Sequence, residues 1–99
     1  MNFGLSPEHF SLLDSLLITP LKKENIDVWI FGSRAREDFQ KFSDIDILFE
    51  AKKPIPSGLL FSITEALEES RLPYKVDLVN IDDLAESYRE NILRDRIKL

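Results

Sequence analysis

The sequence predicts an α/β (α+β) fold, a small sheet of a few strands with helices packed against it. Three observations carry this. Three short runs, Asp27–Phe31, Ser43–Glu50 and Tyr74–Asn80, are rich in β-branched, aromatic or alternating apolar residues and read as strands. Segments with apolar residues at helical spacing lie before, between and after them. Pro and Gly mark the changes from one pattern to the other.

In chain order, Ser6-Pro7-Glu8 is a helix start, with Ser6 as cap and Pro7 in the first turn. Phe10, Leu13, Leu16 and Leu17 follow at helical spacing, which leaves His9 as a surface residue of this helix. Thr19-Pro20 is expected to end or kink it, with a short restart through Lys22 to Asn25 capped by Thr19. The run "DVWIF" is a buried strand, and Gly32-Ser33 breaks it and opens a helical turn. In "SDIDILFE", Ile45, Ile47 and Phe49 alternate with Asp44, Asp46 and Leu48. A loop with two prolines spans Lys52 to Pro56. Ser57 to Arg71 reads as a helix with Leu60, Ile63 and Leu67 on one stripe, stopped by Leu72-Pro73. The third strand, "YKVDLVN", puts Val76 and Leu78 on one face and Lys75, Asp77 and Val79 on the other. Asp82 or Asp83 is the expected cap of a last helix bearing Leu84, Tyr88 and Ile92.

Ninety-nine residues suit one domain, 1–99, with a single core and no separate substrate-binding unit. The absence of cysteine excludes disulfides and thiolate metal sites, and a single histidine excludes a His cluster for zinc. No apolar run approaches the roughly 18 residues of a membrane span and no signal-peptide pattern opens the chain, so a cytoplasmic location is expected. A net charge of −5 speaks against wrapping a nucleic-acid backbone. Only the end of the chain is locally basic, with Arg94, Arg96 and Lys98 against Asp95, and alternating Ile97 and Leu99 make it a candidate docking tail.

Chemistry concentrates between the first two strands. Asp44 and Asp46, two residues apart in a strand, project from one face with Cα atoms about 6.5–7 Å apart. Carboxylates so placed can converge on a metal ion, and oxygen donors without His or Cys select Mg²⁺ or Mn²⁺. Asp77 can complete the set if the second and third strands are neighbours. On the residues alone, the pair also fits a solvated strand edge. It is no EF-hand, because Ile47 and Leu48 stand where that loop needs polar residues. Gly32 after a buried strand lets a ligand approach the backbone, and Ser33 offers a hydroxyl and free N–H groups to phosphate. A tight turn with a serine cap reads the same way, and no Gly-Lys-Ser/Thr follows to make a Walker A loop.

Gly32-Ser33, the ten residues Arg34–Ser43, Asp44-Ile45-Asp46 and the later Asp77 together resemble the nucleotidyltransferase superfamily related to DNA polymerase β. Within it, "GSRAR" and "VDLV" make the chain similar to the minimal, MNT-type members from about Asp27 to Tyr88. The resemblance implies a small mixed sheet of the nucleotidyltransferase fold. It implies Asp44, Asp46 and Asp77 as catalytic metal ligands for Mg²⁺ or Mn²⁺, and Gly32, Ser33, Arg34 and Arg36 as nucleotide-binding residues. It also implies ATP as substrate and a HEPN-domain toxin, encoded nearby, as partner and acceptor, whose tyrosine receives AMP. In that scheme Asp77 helps deprotonate the acceptor hydroxyl, and Lys41 is a weaker phosphate contact. One position departs from the family: glycine usually follows "SRAR", and here it is Glu37, a carboxylate expected beside the phosphate pocket. This and the small size of the chain favour an alternative, an antitoxin that blocks its partner by binding alone. A small-molecule transferase needs a further domain to hold its acceptor, and a template-directed polymerase sits poorly with the charge of −5.

Overall fold

The computed structural model describes residues 2–99. Ser6 is extended (φ −67°, ψ 161°), and its hydroxyl accepts from the His9 N–H at 3.1 Å, capping helix α1 (Pro7–Leu13). The helix does not stop at Thr19-Pro20. It runs through a π-helical turn (Asp14–Ile18), closed by the Thr19 N–H on the Asp14 carbonyl, into α2 (Thr19–Lys23). Proline lacks an N–H and its ring crowds the carbonyl one turn back. The wider turn relieves that clash without breaking the helix. Thr19 caps nothing; its hydroxyl donates to the Asp14 carboxylate at 3.1 Å.

The strands are β1 (Asp27–Phe31), β2 (Ile45–Glu50), β3 (Val76–Asn80) and β4 (Ile97–Lys98), in spatial order β3-β2-β1-β4. β1 runs antiparallel to both β2 and β4, and β2 runs parallel to β3. A parallel pair needs a long crossover, supplied by α4 (Leu59–Glu69). The short helix α3 (Gly32–Arg36) leads out of β1, and α5 (Glu86–Asp95) lies between β3 and β4 in sequence.

Strand alternation sorts the sheet into two faces. Val28, Ile30, Ile45, Ile47 and Phe49 are buried in the main core with Leu13, Leu17 and Leu21 of the N-terminal helix and Ile63 and Leu67 of α4. Each such side chain contributes about 1.5–3 kcal/mol by leaving water. The opposite face carries Trp29 and Leu48, packed with Ile81, Val79, Ile92 and Leu93. The site lies on this second face, which the main core leaves free to carry polar groups.

Three further details differ from expectation. Neither Asp82 nor Asp83 caps the last helix: Asn80 accepts from the Asp82 N–H at 2.9 Å, which closes a 3₁₀ turn (Ile81–Asp83), and α5 starts only after Ala85. His9 is half-buried, edge-on to the Tyr74 ring at 5.5 Å between centroids. The C-terminal residues form an edge strand, not a free tail. The Leu99 N–H donates to Val28 at 2.9 Å, Lys98 pairs with Asp27 at 2.9 Å, and Arg96 and Lys98 lie over the Trp29 ring at 4.3 and 4.8 Å. Ile97 and Leu99 alternate because they pack on the main core. The hydrogen bond from Lys98 holds the Asp27 carboxyl below its usual pKa.

Candidate active site

Register brings two of the carboxylates together. Asp46 and Asp77 are partners across the parallel β2–β3 pair, so their side chains leave the same face of neighbouring strands. Across its other edge Asp46 pairs with Phe31, the last residue of β1. Gly32 follows, at φ +75°, in the left-handed region that side chains rarely enter. A Cβ at Gly32 would collide with Oδ2 of Asp46. Glycine is therefore required twice over, by the turn and by the carboxylate beside it.

Asp44 stands one residue before β2 and is exposed, so it belongs to the loop and not to the strand. Its charge still reaches Asp46. The Asp46 carboxyl is pushed up to about 6, first by burial, then by the negative charges of Asp77 and Asp44, with a hydrogen bond to Asp77 adding to the effect. Arg36 opposes the shift but does not cancel it. Lys75 meets Asp77 from the rim at 3.5 Å. The centre thus carries more negative charge than its own cations balance. Among the described residues, no three His, Cys, Asp or Glu side chains gather into a group able to hold an ion alone. The oxygen donors present do fit a hard divalent cation of the kind that takes one or two carboxylates and fills its shell with phosphate oxygens and water.

The residues after Gly32 divide by role. The Ser33 carbonyl accepts from the N–H groups of Glu37 and Asp38 and closes the five-residue helix α3. Glu37 is exposed and left-handed (φ 67°, ψ 24°). A glycine would take this helix-ending conformation without a steric penalty. The departure at Glu37 thus bears on the backbone, and its carboxylate is exposed. Arg36 is exposed and pairs with Asp38 at 3.1 Å. Lys41 lies over the exposed Phe42 ring at 5.4 Å.

Arg34 does not stand where a nucleotide contact is expected. It is 1% exposed. Its Nε and Nη2 both donate to the Ser43 carbonyl, at 3.0 and 2.9 Å, and Nη1 donates to the Phe3 carbonyl at 2.9 Å. The guanidinium also lies over the rings of Tyr74 and Phe39, at 4.5 and 5.1 Å. Each of its three nitrogens donates to the protein's own backbone, because the loop from Glu37 to Ser43 folds back over it. The sequence held a signal for this in the aromatic residues Phe39 and Tyr74, which can partner a buried guanidinium.

Sequence reasoning also missed a wall of the site. A cleft of about 260 Å³ separates Gly32 and Arg36 from Tyr88, Asn91 and Asp95 of α5. Tyr88, expected on an apolar stripe, is half-exposed at this cleft. The signal was the polar pair Asn91 and Asp95, three and seven residues beyond it.

Comparison with known proteins places this arrangement. The family model described as polymerase beta, nucleotidyltransferase matches residues 17–99. The chain is 37% identical over 65 residues to a probable protein adenylyltransferase MntA of Haemophilus influenzae, covering 66% of this chain and 57% of that protein's length. Its fold matches a toxin–antitoxin crystal structure with AMP-PNP, at a TM-score of 0.64 and 20% identity, over 86% of this chain and 70% of that one. It matches a mutant of the MntA–HpeT toxin–antitoxin at a TM-score of 0.61 and 18% identity, with the same coverage. With a family match over most of its length and a mixed four-stranded sheet to carry it, the chain belongs to the polymerase β nucleotidyltransferase family.

Proposed function

We propose that this chain transfers AMP from ATP to a hydroxyl of a partner protein, a tyrosine of a HEPN-domain toxin, and so acts as the antitoxin of the pair. The observation that carries the reading is the pairing of Asp46 with Asp77 beside the glycine of the Gly-Ser turn. The relative named as a protein adenylyltransferase and the toxin–antitoxin folds support the choice of acceptor class.

Asp44, Asp46 and Asp77 would hold Mg²⁺ or Mn²⁺, which supplies neutralisation of the triphosphate charge. Gly32 and Ser33 cradle the phosphates, and Arg36 is the nearest exposed cation. Asp77 accepts the proton of the acceptor hydroxyl. That oxygen bonds to the α-phosphorus, the bond to the bridging oxygen breaks, and pyrophosphate leaves. Arg34 holds Ser43, the residue before Asp44, and so fixes the loop from which that carboxylate projects. The binding-only alternative draws on Glu37 and on the small size of the chain; the Glu37 carboxylate is exposed, so water screens its charge and it weighs little against nucleotide binding.

The test is intact mass of the co-purified partner before and after incubation with ATP and Mg²⁺. A gain of one or more AMP units is expected. An unchanged partner mass, with the complex intact, would leave the binding-only role in its place.

A further inference from the structure

Helix α5 sets an unusual stripe along a surface cleft. Tyr88, Asn91, Ile92 and Asp95 follow at i, i+3, i+4 and i+7, so they share one face. That face meets Phe31, Gly32 and Arg36 across the cleft of about 260 Å³. Ile92 packs with the Trp29 core and pins the helix. The other three do not behave as packing residues. Tyr88 is half-exposed, Asn91 is exposed, and the Asp95 carboxylate pairs with its neighbour Arg94 at a long 3.4 Å. An aromatic ring, an amide and a carboxylate therefore join Phe31 and Ile92 in lining a cleft that is apolar over most of its wall.

We propose that this cleft is the nucleoside subsite and that α5 sets the choice of base. The inference rests on the reading that the Gly-Ser turn and the carboxylates hold a triphosphate. Gly32 joins the two places: it lines the cleft on one side and abuts Asp46 on the other. A nucleotide whose phosphates lie at Gly32 and Ser33 thus has its nucleoside end within reach of α5. The Tyr88 ring offers a stacking surface that accepts any base. The Asn91 amide, with one acceptor and two donors, matches the N6 and N7 edge of adenine and mismatches guanine. Asp95 is an acceptor for ribose hydroxyls.

Equilibrium binding of ATP, GTP and inorganic tripolyphosphate to the full chain, in the presence of Mn²⁺, tests this. Tyr88→Ala and Asn91→Ala are each expected to weaken ATP by about tenfold, the loss of one stacked or bidentate base contact. Asn91→Ala should also erase the preference for ATP over GTP. Tyr88→Phe keeps the ring and should keep ATP affinity, which guards against misfolding as the cause. Tripolyphosphate should bind all variants within about twofold of wild type, having no base to lose. ATP binding within twofold of wild type in both alanine variants would overturn the subsite and leave the triphosphate site standing. So would equal losses for ATP and tripolyphosphate. A wild-type protein that binds neither would overturn the nucleotidyl-transfer reading and the subsite with it.

Discussion

The Arg34 guanidinium grips the Ser43 carbonyl with two N–H groups, at 3.0 and 2.9 Å, from a site almost sealed from solvent. The helix that follows the Gly-Ser turn is thereby tied to the residue before Asp44, so one side chain sets the distance between the two halves of the motif. Arg34→Lys keeps the charge and loses the fork. It should cost about 2–4 kcal/mol, because buried carbonyls of Ser43 and Phe3 lose partners and the stacked rings lose their planar cation. Urea denaturation measures it. A cost under about 0.5 kcal/mol would show that the loop holds itself.

Glu37→Gly should stabilise the protein by about 1 kcal/mol. The left-handed conformation at this helix end penalises a side chain, and glycine adopts it freely. ATP affinity should stay within about twofold, since water screens the charge of the exposed carboxylate. Loss of stability together with tighter ATP binding would reverse both statements.

Asp46 binds its proton more firmly folded than unfolded, at about 6 against the ordinary 3.8. A carboxyl raised in this way adds its full stability below the unfolded value and loses it as pH climbs through the folded value. Metal-free Asp46→Asn should therefore exceed wild type in stability above pH 6, by about 1–2 kcal/mol after allowance for solvent screening. The difference should vanish below pH 4. Paired denaturation midpoints at pH 4 and 7 in EDTA check this, and equal midpoints at pH 7 would mean that the carboxylates do not crowd one another.

Removal of residues 97–99 should unfold the protein or lower its melting temperature by 10 °C or more. The segment supplies an edge strand, the Lys98–Asp27 pair and apolar contacts to the main core. Losing these is worth several kcal/mol in a small domain. A truncated chain melting within about 2 °C of the full one would restore the docking-tail reading.

The strands and their faces were legible because burial writes itself into alternation: Ile45, Ile47 and Phe49 go one way, Leu48 the other. The Gly32, Asp46 and Asp77 constellation was legible because neighbouring strands with a fixed period leave few placements for such residues. What escaped depends on contacts distant in sequence. Phe39 and Tyr74 can partner a buried guanidinium, but the distance of Phe3 and Tyr74 from Arg34 along the chain hides that they enclose it. The π-helical turn that carries the chain through Pro20 has no residue signature of its own. The last strand is two residues long, and its alternation reads equally as an exposed tail until β1 is placed beside it.

Transfer of label from ATP marked at the α-phosphate to the co-purified partner protein tests the role of the carboxylates most directly. It should be measured with Mg²⁺, with EDTA, and in Asp44→Asn and Asp46→Asn, which keep the shape of each side chain and remove its charge. The expected result is label on the partner with Mg²⁺ only, falling about 100-fold or more in either variant, as for groups that act through a metal. Transfer within threefold of wild type in both variants, or transfer undiminished in EDTA, would contradict it.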